Sequence, residues 1–261
     1  MLRKQAMLDA VAGERSTRQI ISLGTGPPTF DNAAGATSIS IAWPTTAGSV
    51  AANVRTFMVV VLKPGTANLG AIATPAGWTL LADHIGGGYG ATLGADTGNT
   101  RVSLFQIDGN NSTAGTVAVG LTPDGANGVA TGNMMRIEKT KGTWQPVVIA
   151  KAEATVDTVA ASFNPLPALK VSRGDFLIYG FAITYYFLGG TSLNAGTGLV
   201  GASPSLAQGG ANQFGFRINS TGTGRRATRG VNPITSPQIH TVGVAGVNNR
   251  GPMVVARMRV R

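Results

Sequence analysis

The sequence contains no cysteine and only two histidines among its 261 residues. The lack of cysteine excludes disulfide bonds, zinc–thiolate sites, iron–sulfur clusters and catalysis by a thiol. The two histidines, His84 and His240, are far apart, and neither belongs to an HxH or HExxH pattern. We therefore interpret each one as a residue of a strand rather than as a metal ligand, and no metal site is predicted.

Acidic residues are also scarce, at 11 against 21 lysines and arginines. They are scattered, and no stretch has the dense acidic spacing of a calcium loop. The GxSxG turn of many esterases is missing as well, so no catalytic residue is predicted. One alternative stays open, in which Asp83 meets Asp96 or Asp108 in space and forms the acid pair of a glycosidase.

Long apolar runs are absent too. No stretch approaches the roughly 18 apolar residues of a membrane-spanning helix. Charged residues interrupt the N-terminal stretch "MLRKQAMLDAVAGERSTRQIISL", which is unlike a secretory signal. We therefore expect synthesis in the cytoplasm and no contact with a membrane.

Glycine, in contrast, is abundant, with 37 residues, and its clusters raise the question of a nucleotide site. The stretch "GGGYGATLG" from Gly86 to Gly94 leads into turn residues and a strand. A phosphate site of this kind needs a helix there, whose N-terminus binds the phosphate. We therefore interpret the stretch as a connection between strands and expect no cofactor. Tyr89 within it is the aromatic residue best placed to stack on a sugar.

The main periodicity of the chain is two residues, which is typical of strands. In "TSISIAW", Ile39, Ile41 and Trp43 alternate with small residues, whereas "RTFMVVVLK" is a continuous apolar run that predicts a strand buried on both faces. Turn residues separate the later runs. These runs predict strands at Trp78–Ile85, Arg101–Ile107, Gly115–Leu121, Asn133–Glu138, Pro146–Val156, Asp175–Phe187, Gln213–Ile218, Gln238–Val244 and Met253–Val260.

About a dozen short strands without intervening helices predict an all-β fold, a jelly-roll-like antiparallel β-sandwich. A short helical or extended N-terminal arm precedes it, with a weak helical pattern from about Leu2 to Ile21, before "GTGPP" interrupts regular structure. The predicted organisation is an N-terminal anchoring arm and linker over residues 1–36 and a single β-sandwich domain over residues 37–261.

Positive charge is concentrated towards the C-terminus. Asp175 is the last acidic residue, and eight arginines follow it, contributing to a net charge of +10. This asymmetry suggests an acidic partner surface or nucleic acid, and of the two we do not expect nucleic acid. In the alternative interpretation, these arginines are solvated or pair with acids from the first half of the chain. The candidate interaction residues are Arg217, Arg225, Arg226, Arg229 and Arg250.

One motif carries a resemblance to a known group of proteins. The stretch "TPAGWTLLADH", followed by the glycine-rich segment and "GNTRVSLFQI", resembles β-sandwich modules in structural proteins of tailed bacteriophages and related prophage genes. Pro75, Gly77, Trp78 and Thr79 carry the match, and the similarity extends over about Ser38 to Leu121. We expect Gly77 to permit the turn and Trp78 to close one end of the sandwich.

The resemblance implies a non-enzymatic structural protein of the virion. It would be a capsid decoration, cement or head-spike subunit that attaches through its N-terminal arm. Its partners would be the major capsid protein, or tail and connector proteins, and further copies of itself. Two alternatives remain open, a tail, baseplate or fibre-associated protein, and a lectin-like module that binds a host surface glycan through Tyr89.

Overall fold

The computed structural model describes residues 20–27, 29–31, 37–63, 70–86, 100–122, 129–154, 160–162, 169, 175–183, 191–194, 199–200, 205–208, 217–221, 226–227, 238–241 and 251–261. For the strands between residues 191 and 241, the backbone alone is described. The predicted helical arm before residue 20 lies outside the described residues.

The described chain forms 19 strands, and every pairing between them is antiparallel. This confirms the predicted all-β antiparallel class. The strands are β1 Ile20–Thr25, β2 Thr29–Asp31, β3 Ser38–Ala42, β4 Val54–Lys63, β5 Ala71–Ile72, β6 Thr79–Gly86, β7 Thr100–Asp108, β8 Thr116–Thr122, β9 Val129–Lys139, β10 Val148–Ala154, β11 Ala160–Ser162, β12 Phe176–Ile183, β13 Thr191–Asn194, β14 Leu199–Val200, β15 Ser205–Gln208, β16 Arg217–Thr221, β17 Arg226–Ala227, β18 Gln238–Thr241 and β19 Gly251–Met258.

Three of the sheets stack as layers. The central sheet has the order β1-β9-β4-β7-β6, with β2 also paired to β9. One of its faces packs against the sheet β10-β19-β12-β16-β15, and the other packs against the small sheet β3-β8-β5. The fold is therefore a sandwich with two hydrophobic cores, one on each face of the central sheet.

Strand β4 shows how the sequence produces this arrangement. Successive side chains of a strand point to opposite faces, so a continuous apolar run supplies both cores at once. The first core receives Phe57, Val59 and Val61, and the second receives Met58, Val60 and Leu62. The prediction that this strand is buried on both faces is confirmed.

The glycine-rich segment joins two neighbouring strands. β6 and β7 pair antiparallel, and Gly86 lies opposite Thr100 at the end of the ladder. Residues 87–99 therefore connect the strands of a hairpin, as the sequence predicted. Tyr89 belongs to this segment and lies outside the described residues.

Residues 20–31 differ from the predicted arm and linker. β1 and β2 both pair with β9, so the two short strands cover the outer side of β9 and complete one edge of the central sheet. Ile20 is buried in the first core. The stretch "GTGPP" indicated a linker, but its first two residues, Gly24 and Thr25, end β1, and β2 begins at Thr29.

The Pro-x-Gly-Trp motif forms a tight turn. The Trp78 amide donates a hydrogen bond to the Pro75 carbonyl at 3.1 Å, and Gly77 has a φ of 80°. A positive φ at the third position of a turn is the requirement that favours glycine. Trp78 is buried in the second core and stacks on Trp43, with ring centroids 5.6 Å apart. Both expectations for the motif are confirmed.

Both edges of the central sheet are irregular. The ladder of β1 is bulged between Ser22 and Gly24, and that of β6 between Leu80 and Ala82. The ammonium of Lys151 in β10 also donates a hydrogen bond to the Asp83 carbonyl of β6, at 2.5 Å. Bulges and lysines at an edge oppose the addition of a further strand. The edges are therefore unsuited to strand exchange with a partner.

Candidate functional site: the charge-free outer layer

The carboxylate of Asp83 is held by defined partners on the neighbouring strand. Asp83 receives hydrogen bonds from the Arg101 Nε at 2.8 Å and from the Ser103 hydroxyl at 2.7 Å. Burial alone would raise the pKa of Asp83, but the bonds from Arg101 and Ser103 outweigh it and lower that pKa. A carboxylate of this kind stays ionised and does not act as a general acid near neutral pH.

The proposed acid pair of Asp83 and Asp108 is not formed. Asp83 lies opposite Ser103, and Asp108 lies five residues further along the same neighbouring strand, which is about 17 Å at the rise of a strand. Asp108 pairs instead with Arg55, at 3.0 Å. That form of the glycosidase hypothesis was wrong, and Asp96 lies outside the described residues.

The two histidines are both strand residues, in β6 and β18, as predicted. Burial, followed by the nearby charge of Lys151, lowers the pKa of His84. The described residues include no group of three or more His, Asp or Glu side chains that could bind a metal ion.

Within the described part of the chain, no helix has the length and apolar character to cross a membrane.

The candidate arginines are placed by their backbones alone or not at all. Arg217 lies in β16, opposite Ile183 and Gln208, and Arg226 lies in β17, opposite Val200. Arg225, Arg229 and Arg250 lie outside the described residues. The prediction that these arginines face an acidic partner therefore stays a prediction.

Two other C-terminal arginines pair within the chain. Arg259 holds the buried Asp175 through two bonds, Nε to Oδ1 at 2.6 Å and Nη2 to Oδ2 at 2.5 Å. The Arg257 Nε lies 4.0 Å from the same carboxylate. These two arginines therefore pair within the chain, but with Asp175, the last acid of the sequence, rather than with an acid from the first half.

A buried arginine that the sequence reasoning missed fixes two loops at one end of the sandwich. Arg136 of β9 is fully buried, and its guanidinium donates to the carbonyls of Thr46 at 2.8 Å and Ser112 at 2.5 Å. It also lies over the Trp43 ring, 5.9 Å from the centroid. The signal in the sequence is a single arginine within the otherwise apolar "NMMRI".

Glu138, two residues further along β9, holds the same end of the structure. Its carboxylate accepts hydrogen bonds from the Ser49 hydroxyl and from the Val50 amide, the latter at 3.1 Å. Asn111 links the two loops directly, since its side-chain amide both accepts from the Gly48 amide and donates to the Gly48 carbonyl. The loops 43–53 and 109–115 are therefore fastened to the sheet and to each other.

These contacts make stability depend on pH through Glu138. Burial would raise the pKa of Glu138, but its hydrogen bonds from Ser49 and Val50 lower it below the ordinary value of 4.5. The stabilisation is therefore complete above pH 4.5 and decreases as the pH falls through the folded-state pKa.

We expect Glu138→Gln to be less stable than the wild type at pH 7, with a difference that shrinks below about pH 4.5. Thermal unfolding of both proteins between pH 7 and pH 3 measures this difference. A gap that stays constant over this range would contradict a role for the ionised carboxylate.

The fastened loops continue into a surface without charge. The small sheet β3-β8-β5 turns its large apolar side chains into the second core, so its outer face carries small residues alone. The outward residues are Ser38, Ser40 and Ala42 of β3, Thr116, Ala118, Gly120 and Thr122 of β8, and Ala71 of β5. We call the described residues 37–53, 70–78 and 109–122 the charge-free layer, because none of them is Asp, Glu, Lys or Arg.

The opposite outer layer is different in character. β10 exposes Lys151 and Glu153, and the segment that follows β19 ends at the exposed Arg261. Charge is thus segregated between the two outer layers of the sandwich. The three uncharged stretches can be read in the sequence, but they become one surface only when β3, β5 and β8 pair.

Comparison of the chain with protein-family models, with curated proteins and with solved structures found no match.

Proposed function

We propose that this chain is a non-enzymatic structural protein of a tailed-phage virion, a decoration, cement or head-spike subunit on the capsid. The charge-free layer is the observation that carries the structural part of the proposal. Protein interfaces are depleted in charge at their cores, whereas an ordinary soluble surface carries charges of both signs on every side. An outer layer without any charge is therefore suited to being covered by another subunit.

The rigidity of the loops supports the same role. Arg136 and Glu138 hold the loops 43–53 and 109–115 by partly buried hydrogen bonds, and loops that bind a small substrate usually need freedom to close. Fixed loops reduce the entropy lost when two subunits associate. The phage assignment itself rests on the resemblance of the stretch that contains Pro75, Gly77, Trp78 and Thr79.

The segment that attaches the subunit would be shorter than the sequence suggested. Because residues 20–31 are part of the central sheet, the residues before Ile20 are the ones left to reach a neighbouring protein. The arginine-rich part of the chain would contact acidic groups of the shell, since arginine pairs with carboxylates through two hydrogen bonds.

Immunogold labelling of intact particles tests the proposal. The antibody is raised against the full chain, and particles from a phage with a disrupted gene for this chain serve as the control. We expect label scattered over the head. Label confined to the tail would replace the decoration role with a tail or fibre role, and wild-type particles without label would contradict a virion protein altogether.

A second measurement tests the contact through the arginines. Reversing the charge of Arg225, Arg226 and Arg229 to glutamate is expected to lower the amount of the subunit in purified particles. The reason is that each reversed charge repels an acidic neighbour that it formerly attracted. Unchanged occupancy of the particles would contradict the acidic contact and leave the location of the protein unaffected.

A further inference from the structure

We infer that two copies of this chain associate face to face through the charge-free layer. This inference rests on the proposed function in one respect, since a structural subunit is expected to be covered by neighbours. It adds the surface and the partner: the outer face of the β3-β8-β5 sheet with the loops 43–53 and 109–115, and a second copy of the same chain.

Electrostatics favours this face over the rest of the molecule. The chain carries a net charge of +10, so two copies repel each other when their charged surfaces approach. At physiological salt, ions screen the repulsion between charges that are more than a Debye length of about 8 Å apart. Like charges that come into contact are screened much less. The charge-free layer lets two copies meet without bringing described like charges together.

The shape of the face suits two sheets packed against each other. Ser40 lies opposite Ala118 and Ser38 opposite Gly120, so the middle of the face contains no side chain larger than serine. A face without ridges allows a second identical face to approach closely, as in a sandwich of two sheets. Identical faces related by a two-fold axis are self-complementary, which is the usual geometry of a dimer.

The size of the layer agrees with the requirement of a stable dimer. About 18 residues of this face and its two loops are exposed, close to the roughly 20–30 residues that each partner contributes to an interface of standard size. Val50, which is 51% exposed, provides an apolar contact at the loop end of the layer. The outer face of the small sheet alone has too few exposed residues for a stable dimer interface, and the two fastened loops provide the additional area.

Strand exchange at the sheet edges does not offer an equivalent route. Both edges of the central sheet are bulged, and on the β6 side the Lys151 ammonium already donates a hydrogen bond to the Asp83 carbonyl. A dimer through these edges would have to break that hydrogen bond and straighten the bulge. Association through a sheet face leaves both features intact.

Sedimentation equilibrium of the full chain tests the inference. The monomer has a mass of 26.6 kDa, and we expect the wild type to sediment with twice that mass at micromolar concentrations. Ala118→Arg and Ser40→Arg each place a charge in the middle of the face, so that the dimer would bury one such charge from each copy. We expect each of them to weaken the dimer by at least about 100-fold in Kd, since juxtaposed like charges cost several kcal/mol.

Thr143→Arg is the matched control, because Thr143 is exposed outside the charge-free layer. It introduces the same side chain and should leave the dimer mass unchanged. Circular dichroism checks that all three variants are folded. If Ala118→Arg or Ser40→Arg does not fold, hydrogen exchange of the wild type, measured at several protein concentrations, takes the place of that variant. We then expect amide exchange in residues 109–122 to become slower as the protein concentration rises.

A wild type that sediments as a monomer overturns the inference, and so does a dimer whose mass neither Ala118→Arg nor Ser40→Arg changes. Equal disruption by Thr143→Arg would likewise overturn the assigned surface. These results are separate from those of particle labelling. A dimer through this face in a protein that is absent from particles would contradict the virion role alone, and a labelled but monomeric protein would contradict the dimer alone.

Discussion

Asp175→Asn is expected to reduce the free energy of unfolding by about 3 kcal/mol, because it removes one partner of a buried ion pair. Asp175 is only 1% exposed and holds the Arg259 guanidinium through two short bonds, with Arg257 nearby. Asparagine keeps the volume and one acceptor but leaves two arginines without a negative charge. Equilibrium unfolding in urea measures the change.

Asp108→Asn is the control for this experiment. Asp108 makes an ion pair of the same type with Arg55, but its side chain is 52% exposed. An exposed pair contributes less than about 1 kcal/mol, so the control should lose little. Equal losses in the two variants would show that burial does not set the strength of the Asp175 contact.

Asp175 also ties the end of the chain to the rest of the fold. Strand β19 lies in the middle of its sheet, between β10 and β12, and Val254, Ala256 and Met258 fill the first core. A loosened β19 therefore exposes a core, and we expect the loss to appear as a lower cooperative unfolding transition rather than as local fraying.

Arg136→Met is expected to cost a similar amount, about 3 kcal/mol, since partly buried carbonyls lose a charged donor and a hydrogen bond to a charged group contributes roughly 1.5–3 kcal/mol. Methionine preserves most of the aliphatic volume but cannot donate to the carbonyls of Thr46 and Ser112. Burial of the charged guanidinium, which lowers the pKa of Arg136, reduces the stability of the wild type, and the methionine variant avoids this reduction. The gain offsets only part of the lost stability, because the carbonyls of Thr46 and Ser112 lose their donor.

Arg136→Lys separates charge from geometry. A lysine retains the positive charge but presents a single ammonium, which reaches fewer of these acceptors. We expect an intermediate stability and faster hydrogen exchange in the loops 43–53 and 109–115 for both variants. Wild-type stability and exchange in Arg136→Met would mean that Arg136 does not fasten the loops.

Much of the fold follows from the local pattern of the chain. The uninterrupted apolar run of β4 requires cover on both faces, and the alternation of Ile39 and Ile41 with serines requires cover on one face. The turn at Gly77 follows from the need for a positive φ. Each of these features depends on residues that are close in sequence, which is why they could be predicted.

The N-terminal boundary could not be read in the same way. β1 and β2 are short and are interrupted by glycine and prolines, so their pattern is weak. They become strands because β9, more than 100 residues later, offers an open edge to pair with. Pairing of this range is decided by tertiary structure, where backbone hydrogen bonds outweigh a poor local propensity.

The candidate surface, too, could be predicted from the sequence only in part. By itself the sequence determined the all-β class, the position of most strands, the buried tryptophan turn and the lack of charge in three separate stretches. Only the tertiary structure decided that these stretches form one outer layer, that Arg136 fastens its loops, and that Asp175 pairs with Arg259, with Arg257 nearby. The physical reason is that side-chain alternation and turn geometry are local, whereas these pairings join residues far apart in the sequence, such as Arg136 and Thr46 at 90 positions or Asp175 and Arg259 at 84.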